Sequence, residues 1–405
     1  MQYSIALARR DYLNNPHARA SMAGAGQGRG GLVNIPAKST RGYGASDLHQ
    51  GMMTAAALNA SVGGCAGAVR RHMERGGDNP DGMVPCGQWF SNRLAGVDVH
   101  EATDSFCDMA AAQLKELEKE GMMPEGGWTM ALDMHKIGRY DRTRGEELTR
   151  SKYEKGTMYF ERYMSVQCTD DGAHLNAAAL PVYMLDSVPG KVRQILEGCI
   201  KRGVRIRLVL LDREFFTVES IRVLKDLGLD YLMPCSNRPG VVSAIREYAV
   251  GRRRAVSGND LSGAGGSVSY TLVIDERRRR KKSPKSDPPP EEKYIGFATS
   301  VPDIDVRVYG HRWVVETGYS KAEAMRPRTR SRNKGARLFC FLYALAIFNA
   351  WVMWSALLRV ASAVRRQLHV MTQLELKVAV LGMAFAVLKP PSHAPALPAV
   401  PLIPA

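Results

Sequence analysis

Three carboxylates, far apart in the chain, stand where a chemically active carboxylate is expected. Asp133 ends the apolar run Trp128–Leu132, and Asp212 ends the run Arg205–Leu211. An acidic side chain at the end of a strand projects into the crevice at the edge of a sheet, although either aspartate alone equally suits a turn. The third is Glu316. Tyr309, Arg312, Glu316 and Glu323 recur at intervals of three, four and seven, which predicts one face of a helix near 309–325. A face joining a phenol, a guanidinium and carboxylates is not a core face. Hard oxygen donors from three separate elements suit Mg²⁺ or Mn²⁺ rather than zinc. Two such ions activate an attacking oxygen and stabilise a leaving one in phosphoryl transfer. Nearby, Arg326, Arg328, Arg330 and Arg332 alternate along the chain. An extended segment there turns all four guanidinium groups to one side, towards phosphate.

Other polar residues in these neighbourhoods have plainer readings. His135 shares a strand face with Asp133 if the strand continues, but a lone histidine near a turn is ordinarily polar filler. Glu214 alternates with Asp212 and reads as a local cap or pairing partner. Asp170 and Asp171 precede Gly172 in an evident turn.

The elements that must position these groups are legible as a mixed α/β pattern. Strands are predicted at 157–168, 174–185 and Tyr231–Cys235. Arg205–Leu211 is apolar on both faces, as a covered central strand is. Helices are predicted at about 190–201 and at 217–227, the latter with Thr217 as N-cap and Gly228 just past its end. Mixed strands and helices in this order predict an α/β sheet with helices packed on it. Before it, residues 49–125 read as a helical N-terminal domain, with a helical stretch over Gly51–Glu74 and one or two helices in 88–120. Residues 1–48 read as a flexible leader. Residues 126–235 and 294–362 hold the sheet, its last helices and a long apolar helix near 337–362. Between them, 236–293 reads as a basic insertion apart from the main sheet, with a strand at 268–274. Residues 363–405 read as a C-terminal helix and a Pro/Ala-rich tail.

With 405 residues and 45% apolar composition the chain can bury a large core, and collagen-like, mucin-like and disulfide-scaffold classes are excluded. Its seven cysteines are scattered without a C-x-x-C pair, which fits a reducing compartment, and Met1–Arg10 has no signal-peptide pattern. The net charge is +16, and 13 of those charges fall within Arg252–Lys285 and Arg312–Arg337. Basic residues gathered in this way point to a polyanion, nucleic acid before anionic membrane. The run Arg277–Lys282 alone reads as a solvated loop. Leu338–Leu358 is long and apolar enough for a membrane span, with arginine at both ends.

At the third carboxylate the sequence resembles the DDE transposases of bacterial and archaeal insertion sequences, in the subgroup with a Y-x2-R-x3-E-x6-K signature. The matching string is YGHRWVVETGYSKAE, giving Tyr309, Arg312 and Glu316. LVLLDREFF supplies Asp212 at a strand–Asp–Arg–helix junction, and ALDMHKIGRY supplies Asp133. The resemblance covers about residues 126–360. It implies a ribonuclease H-like mixed sheet flanked by helices, with an insertion before the last catalytic helix. It also implies that Asp133, Asp212 and Glu316 hold two Mg²⁺ (or Mn²⁺) ions. The partner it implies is double-stranded DNA, with terminal inverted repeats that are bound and cut and 3′ ends that are joined to target DNA. Tyr309 and Arg312 would hold the DNA end. Glu323 occupies the family's Lys position, so that contact is absent or comes from Lys321 or Arg326. Pairing two ends implies a homodimer on DNA, in the cytoplasm, and the family has a buried helix where a membrane span would otherwise be read. Alternatives are a ribonuclease H-like nuclease that does not join strands and a DNA-binding remnant that has lost catalysis.

Overall fold

A computed structural model describes residues 43–77, 84–140, 148–154, 156–263, 265–277 and 289–365, with Thr372, Leu374 and Lys377. The leader before Tyr43, the basic run after Arg277 and the Pro/Ala-rich tail lie outside the described residues. The chain divides into two compact units, one of Met1–Met109 with Ser320–Ala405 and one of Ala110–Tyr319.

The first unit is helical. The helical stretch expected over Gly51–Glu74 is two helices, α1 (Ala45–Leu58) and α2 (Val62–Arg75). Asn59, in the left-handed conformation at φ 50°, ends α1, and Ser61 Oγ accepts from Gly64 N at 3.1 Å to start α2. Next come α3 (Gly87–Ala95) and α4 (Val99–Lys119), which continues into the second unit. The long apolar helix is α10 (Lys334–Arg365). By length and composition it could cross a membrane, but every side chain from Leu338 to Phe348 is buried in the protein. Burial on all sides is how a core helix passes the same test.

Tyr343 of α10 donates to the His49 carbonyl at 3.1 Å, and its ring stacks on the His49 imidazole at 6.1 Å. Burial lowers the His49 pKa from 6.5 to about 4, and its Nδ1 has no hydrogen-bond partner among the described residues. The unfolded chain therefore binds a proton that the native state refuses. Stability from this group is full above pH 6.5 and is lost as the pH falls towards 4, by about 2 kcal/mol at pH 5. In urea unfolding at pH 7 and pH 5, the wild type should lose more stability than His49→Phe by about that amount, the variant comparison removing the opposite contribution of raised carboxyls.

The second unit is built on one sheet. Its strands are β1 (Trp128–Arg139), β2 (Thr149–Glu154), β3 (Thr157–Cys168), β4 (Asn176–Val182), β5 (Ile206–Leu211), β6 (Asp230–Pro234), β7 (Val256–Gly263), β8 (Gly266–Glu276) and β9 (Tyr294–Thr299). The order is β2-β3-β1-β5-β6-β9-β8-β7, with β4 also paired to β3. β1, β5 and β6 run parallel and the remaining pairings are antiparallel. Helices α5 (Val188–Lys201), α6 (Val218–Asp226) and α7 (Pro239–Ala249) pack on it, with the single turn α8 (Pro290–Lys293) leading into β9. The mixed α/β sheet flanked by helices is as expected.

Local chemistry explains the central elements. β5 is buried from Leu208 to Leu211, so it sits between β1 and β6. Thr217 caps α6, accepting from Ser220 N at 3.1 Å. Gly127 (φ +122°) lets the chain enter β1 against β5, since a Cβ there would lie 2.8 Å from Arg205 O. Asp170 is a turn former with a further task, because its carboxylate accepts from Thr129 N at 2.7 Å and fixes the start of β1.

The structure departs from the sequence reading in three places. β1 does not stop at Asp133 but continues to Arg139, paired with β3 as far as Tyr159. That extension buries an ion pair, Arg139 Nη1 to Glu161 Oε1 at 2.6 Å, with Tyr163 donating to Glu161 Oε2 at 3.1 Å. The 236–293 segment is an insertion in chain order, yet it is not apart from the sheet, because β8 pairs with β9 and carries β7 as an edge strand. Finally, the 309–325 helix is a 3₁₀ turn, Val306–Arg312, followed by α9 (Trp313–Glu323). Spacings of three occur in both helix types, so the sequence did not separate them.

Candidate active site

The parallel pairing of β1 with β5 ends at Leu132↔Leu211, so Asp133 and Asp212 occupy the next row, side by side. There the two strands diverge. Asp212 caps the short 3₁₀ turn Arg213–Phe215, its Oδ1 accepting from Arg213 N at 2.7 Å. Asp133 remains within β1, with Oδ1 accepting from Met134 N at 2.9 Å. Burial, and then the charges of Asp212 and Glu214, push the Asp133 carboxyl up to about 6 against the pull of Arg312. Glu214 is also raised, first by burial, while Arg162 at 4.0 Å draws it back.

Arg312 joins the third carboxylate to the first. Its Nη1 lies 3.6 Å from Asp133 Oδ2 and its Nη2 donates to Glu316 Oε1 at 2.7 Å. The guanidinium sits over the Tyr309 ring at 5.7 Å, and Tyr309 meets Phe297 edge-on at 5.4 Å. Burial pushes the Tyr309 hydroxyl up to about 12, which keeps it protonated and able to donate. The Arg312 side chain is mostly buried, and its Nε has no hydrogen-bond partner among the described residues.

Glu316 lies in the first turn of α9 and its side chain is half exposed. Tyr319, three residues on, fixes that turn to the sheet. Its hydroxyl donates to the Asp133 carbonyl at 3.3 Å and lies 2.7 Å from Ser165 Oγ, Ser165 being the partner of Asp133 across β1–β3. The Tyr319 ring stacks on His135 at 4.4 Å, which gives His135 a packing role. Neither Tyr319 nor Ser165 was singled out from sequence. The available signal was the three-residue spacing from Glu316 to Tyr319.

The remaining basic candidates belong to the helical unit. Arg326, 9% exposed, donates to both oxygens of Glu323 at 2.7 and 2.8 Å. Lys321 Nζ stands 4.8 Å from the Trp351 ring centroid. Arg328, Arg330 and Arg332 are exposed, as an extended segment predicts, whereas Arg326 is turned inward. Arg328 Nε also donates to Asn59 Oδ1 at 2.7 Å, and its backbone N donates to the Ala60 carbonyl at 2.8 Å. This ties the arginine segment to the turn between α1 and α2.

Asp133, Asp212 and Glu316 offer hard oxygen donors, the type a divalent cation takes. Among the described residues, no group of three or more His, Cys, Asp or Glu side chains stands gathered for a metal ion. Arg312 neutralises two of the three carboxylates instead.

Residues 186–349 match the family model described as the transposase DDE domain. The matched segment contains Asp212, Tyr309, Arg312 and Glu316 and begins after Asp133. No curated protein matches the chain. Among solved structures, the chain is similar to the piggyBac transposase in a cryo-EM synaptic complex with hairpin DNA, at 13% identity over 88% of this chain and 74% of that one, with a TM-score of 0.49. It is also similar to the Drosophila P element transposase in a strand transfer complex, at 11% identity over 95% of this chain and 86% of that one, with a TM-score of 0.27.

Proposed function

We propose that this protein is a DNA transposase that binds the terminal repeats of an insertion sequence, cuts the DNA at their ends and joins the 3′ ends to target DNA. The observation that carries this is the row Asp133–Asp212, joined through Arg312 to Glu316, in a chain whose 186–349 segment matches a transposase DDE domain. Asp133, Asp212 and Glu316 would hold Mg²⁺ or Mn²⁺, which would supply charge stabilisation at the attacking and leaving oxygens. Arg312 is fixed charge for a scissile phosphate, pre-oriented by its contacts with Glu316 and Tyr309. Tyr309 offers a protonated hydroxyl beside it. Tyr319 and Ser165 hold the Glu316 turn against the Asp133 strand, so the distance between these carboxylates is set by packing. The exposed Arg328, Arg330 and Arg332 contact DNA phosphates, and the 49–125 helices take part in binding the ends. Two chains act together on paired ends, in the cytoplasm.

The test is cleavage of a DNA fragment carrying the repeats that flank the gene, with Mg²⁺ and with EDTA. The wild type should cut at the repeat ends only with metal, and Asp212→Asn should not cut. Cutting by Asp212→Asn at the wild-type rate overturns the assignment. Specific repeat binding without metal-dependent cutting selects the binding-only remnant, and nicking without joining selects the nuclease.

A further inference from the structure

Beyond Asp133, β1 runs on with β3 and β2 as a three-stranded ribbon whose surface the site does not use. Lys136 and Arg162 are partners across β1–β3, so their side chains leave the same face. Both bear on Glu214, two residues after Asp212, with Arg162 at 4.0 Å. Glu214 thus sets this face of the ribbon beside Asp212, while the Asp133 side chain leaves the other face of β1. Lys136 is exposed and donates to Ser151 Oγ of β2 at 3.3 Å. Arg162 is partly buried, with Nη2 donating to the Met134 sulfur at 2.7 Å and Nε without a hydrogen-bond partner among the described residues.

Two aromatic rings stand further along. Tyr140, just past the end of β1, is 69% exposed, and Tyr153 of β2 is 66% exposed. Gly138 makes room for the first, because a Cβ there would come 3.2 Å from the Tyr140 hydroxyl. Arg150 and Lys152 of β2, which alternate with Ser151 and Tyr153, are exposed on the opposite face. Exposed rings on the face that carries Lys136 and Arg162 suit the flat faces and phosphates of an unpaired nucleic-acid strand.

We infer that the β1–β3–β2 ribbon is the track for an unpaired DNA strand leading away from the carboxylates, with Lys136 and Arg162 on its phosphates and Tyr140 and Tyr153 stacked on its bases. This rests on the transposase reading and adds to it a route for the strand. Tyr140 is seven residues beyond Asp133, about 23 Å at the rise of a strand. A single-stranded extension of several nucleotides should therefore reach it.

The test compares two labelled DNAs, a blunt duplex ending in the repeat and the same duplex with a ten-nucleotide oligothymidine extension, by fluorescence anisotropy in EDTA. The wild type should bind the extended DNA at least about tenfold more tightly than the blunt one, since base–aromatic stacking is strong enough for that. The Tyr140→Ala/Tyr153→Ala protein should lose this ratio, and the Tyr140→Phe/Tyr153→Phe protein should keep it. Lys136→Gln should lower the salt slope on extended DNA by about one. A wild-type ratio near one, or an Ala variant that keeps the ratio while melting like the wild type, overturns the inference. Equal loss on both DNAs assigns the ribbon to duplex and also overturns it. Because the readout is binding without metal, its failure leaves the cleavage result standing, and absent cleavage leaves the binding ratio interpretable.

Discussion

An Asp133→Asn protein should be more stable than the wild type at pH 8 in metal-free buffer, by on the order of 3 kcal/mol, and should have lost DNA-end cleavage. The stability gain follows from the direction of the Asp133 shift, from 3.8 up to about 6. A carboxyl raised in the native state favours folding fully below its unfolded pKa and loses that contribution as the pH rises through 6. Above that, the native state carries a charge that burial, Asp212 and Glu214 all resist. Asparagine has no charge to resist. Chemical denaturation at pH 4 and pH 8 should therefore show the two proteins converging at the lower pH, and Mg²⁺ should narrow their gap at the higher one. Cleavage should fall by about 10²–10³-fold, the scale of losing one pre-oriented electrostatic group. A variant with the wild-type pH dependence of stability would show that Asp133 is not the strained member of the row.

Glu161→Ala should destabilise the second unit by about 3–5 kcal/mol, the cost of leaving a buried charge without its partner. Arg139 and Glu161 have side chains only 2% and 7% exposed. The hydroxyl of Tyr163 also loses its acceptor. Replacing both members, as Arg139→Met with Glu161→Leu, should recover most of the loss, since the pair must repay its own desolvation. Urea unfolding of the three proteins checks both statements. A Glu161→Ala cost below about 1 kcal/mol would mean that water reaches this part of the ribbon.

The readable parts of the fold were those where a single physical requirement dominates. β5 announced itself because a strand covered on both faces must be apolar throughout, and Asp212 is conspicuous as the first residue that breaks the run. Thr217 and Gly228 bracket α6 by capping chemistry. The continuation of β1 was hidden because Lys136 and Arg139 interrupt the apolar pattern, and only the structure shows that Arg139 is buried against Glu161, which lies 22 residues away. β7 was hidden for a different reason. As an edge strand it buries only Leu261, so its sequence, VSGNDLSG, is that of a loop. In the site, the spacing of Tyr309, Arg312 and Glu316 corresponds to contacts in the structure although the element begins as a 3₁₀ turn, because a 3₁₀ turn leading into an α-helix keeps such residues close. Tyr319 carries no sequence mark, since its hydroxyl partners come from two strands more than 150 residues earlier.

The Glu323–Arg326 clamp has a consequence for how this sequence can change. With Arg326 buried and held through both carboxylate oxygens, a lysine at 323 would set a second cation against a guanidinium that cannot turn to water. The residue that the transposase resemblance places at 323 is therefore not one substitution away. Lineages of this protein should exchange charge at 323 and 326 together or at neither, and the two positions should be inherited as a linked pair.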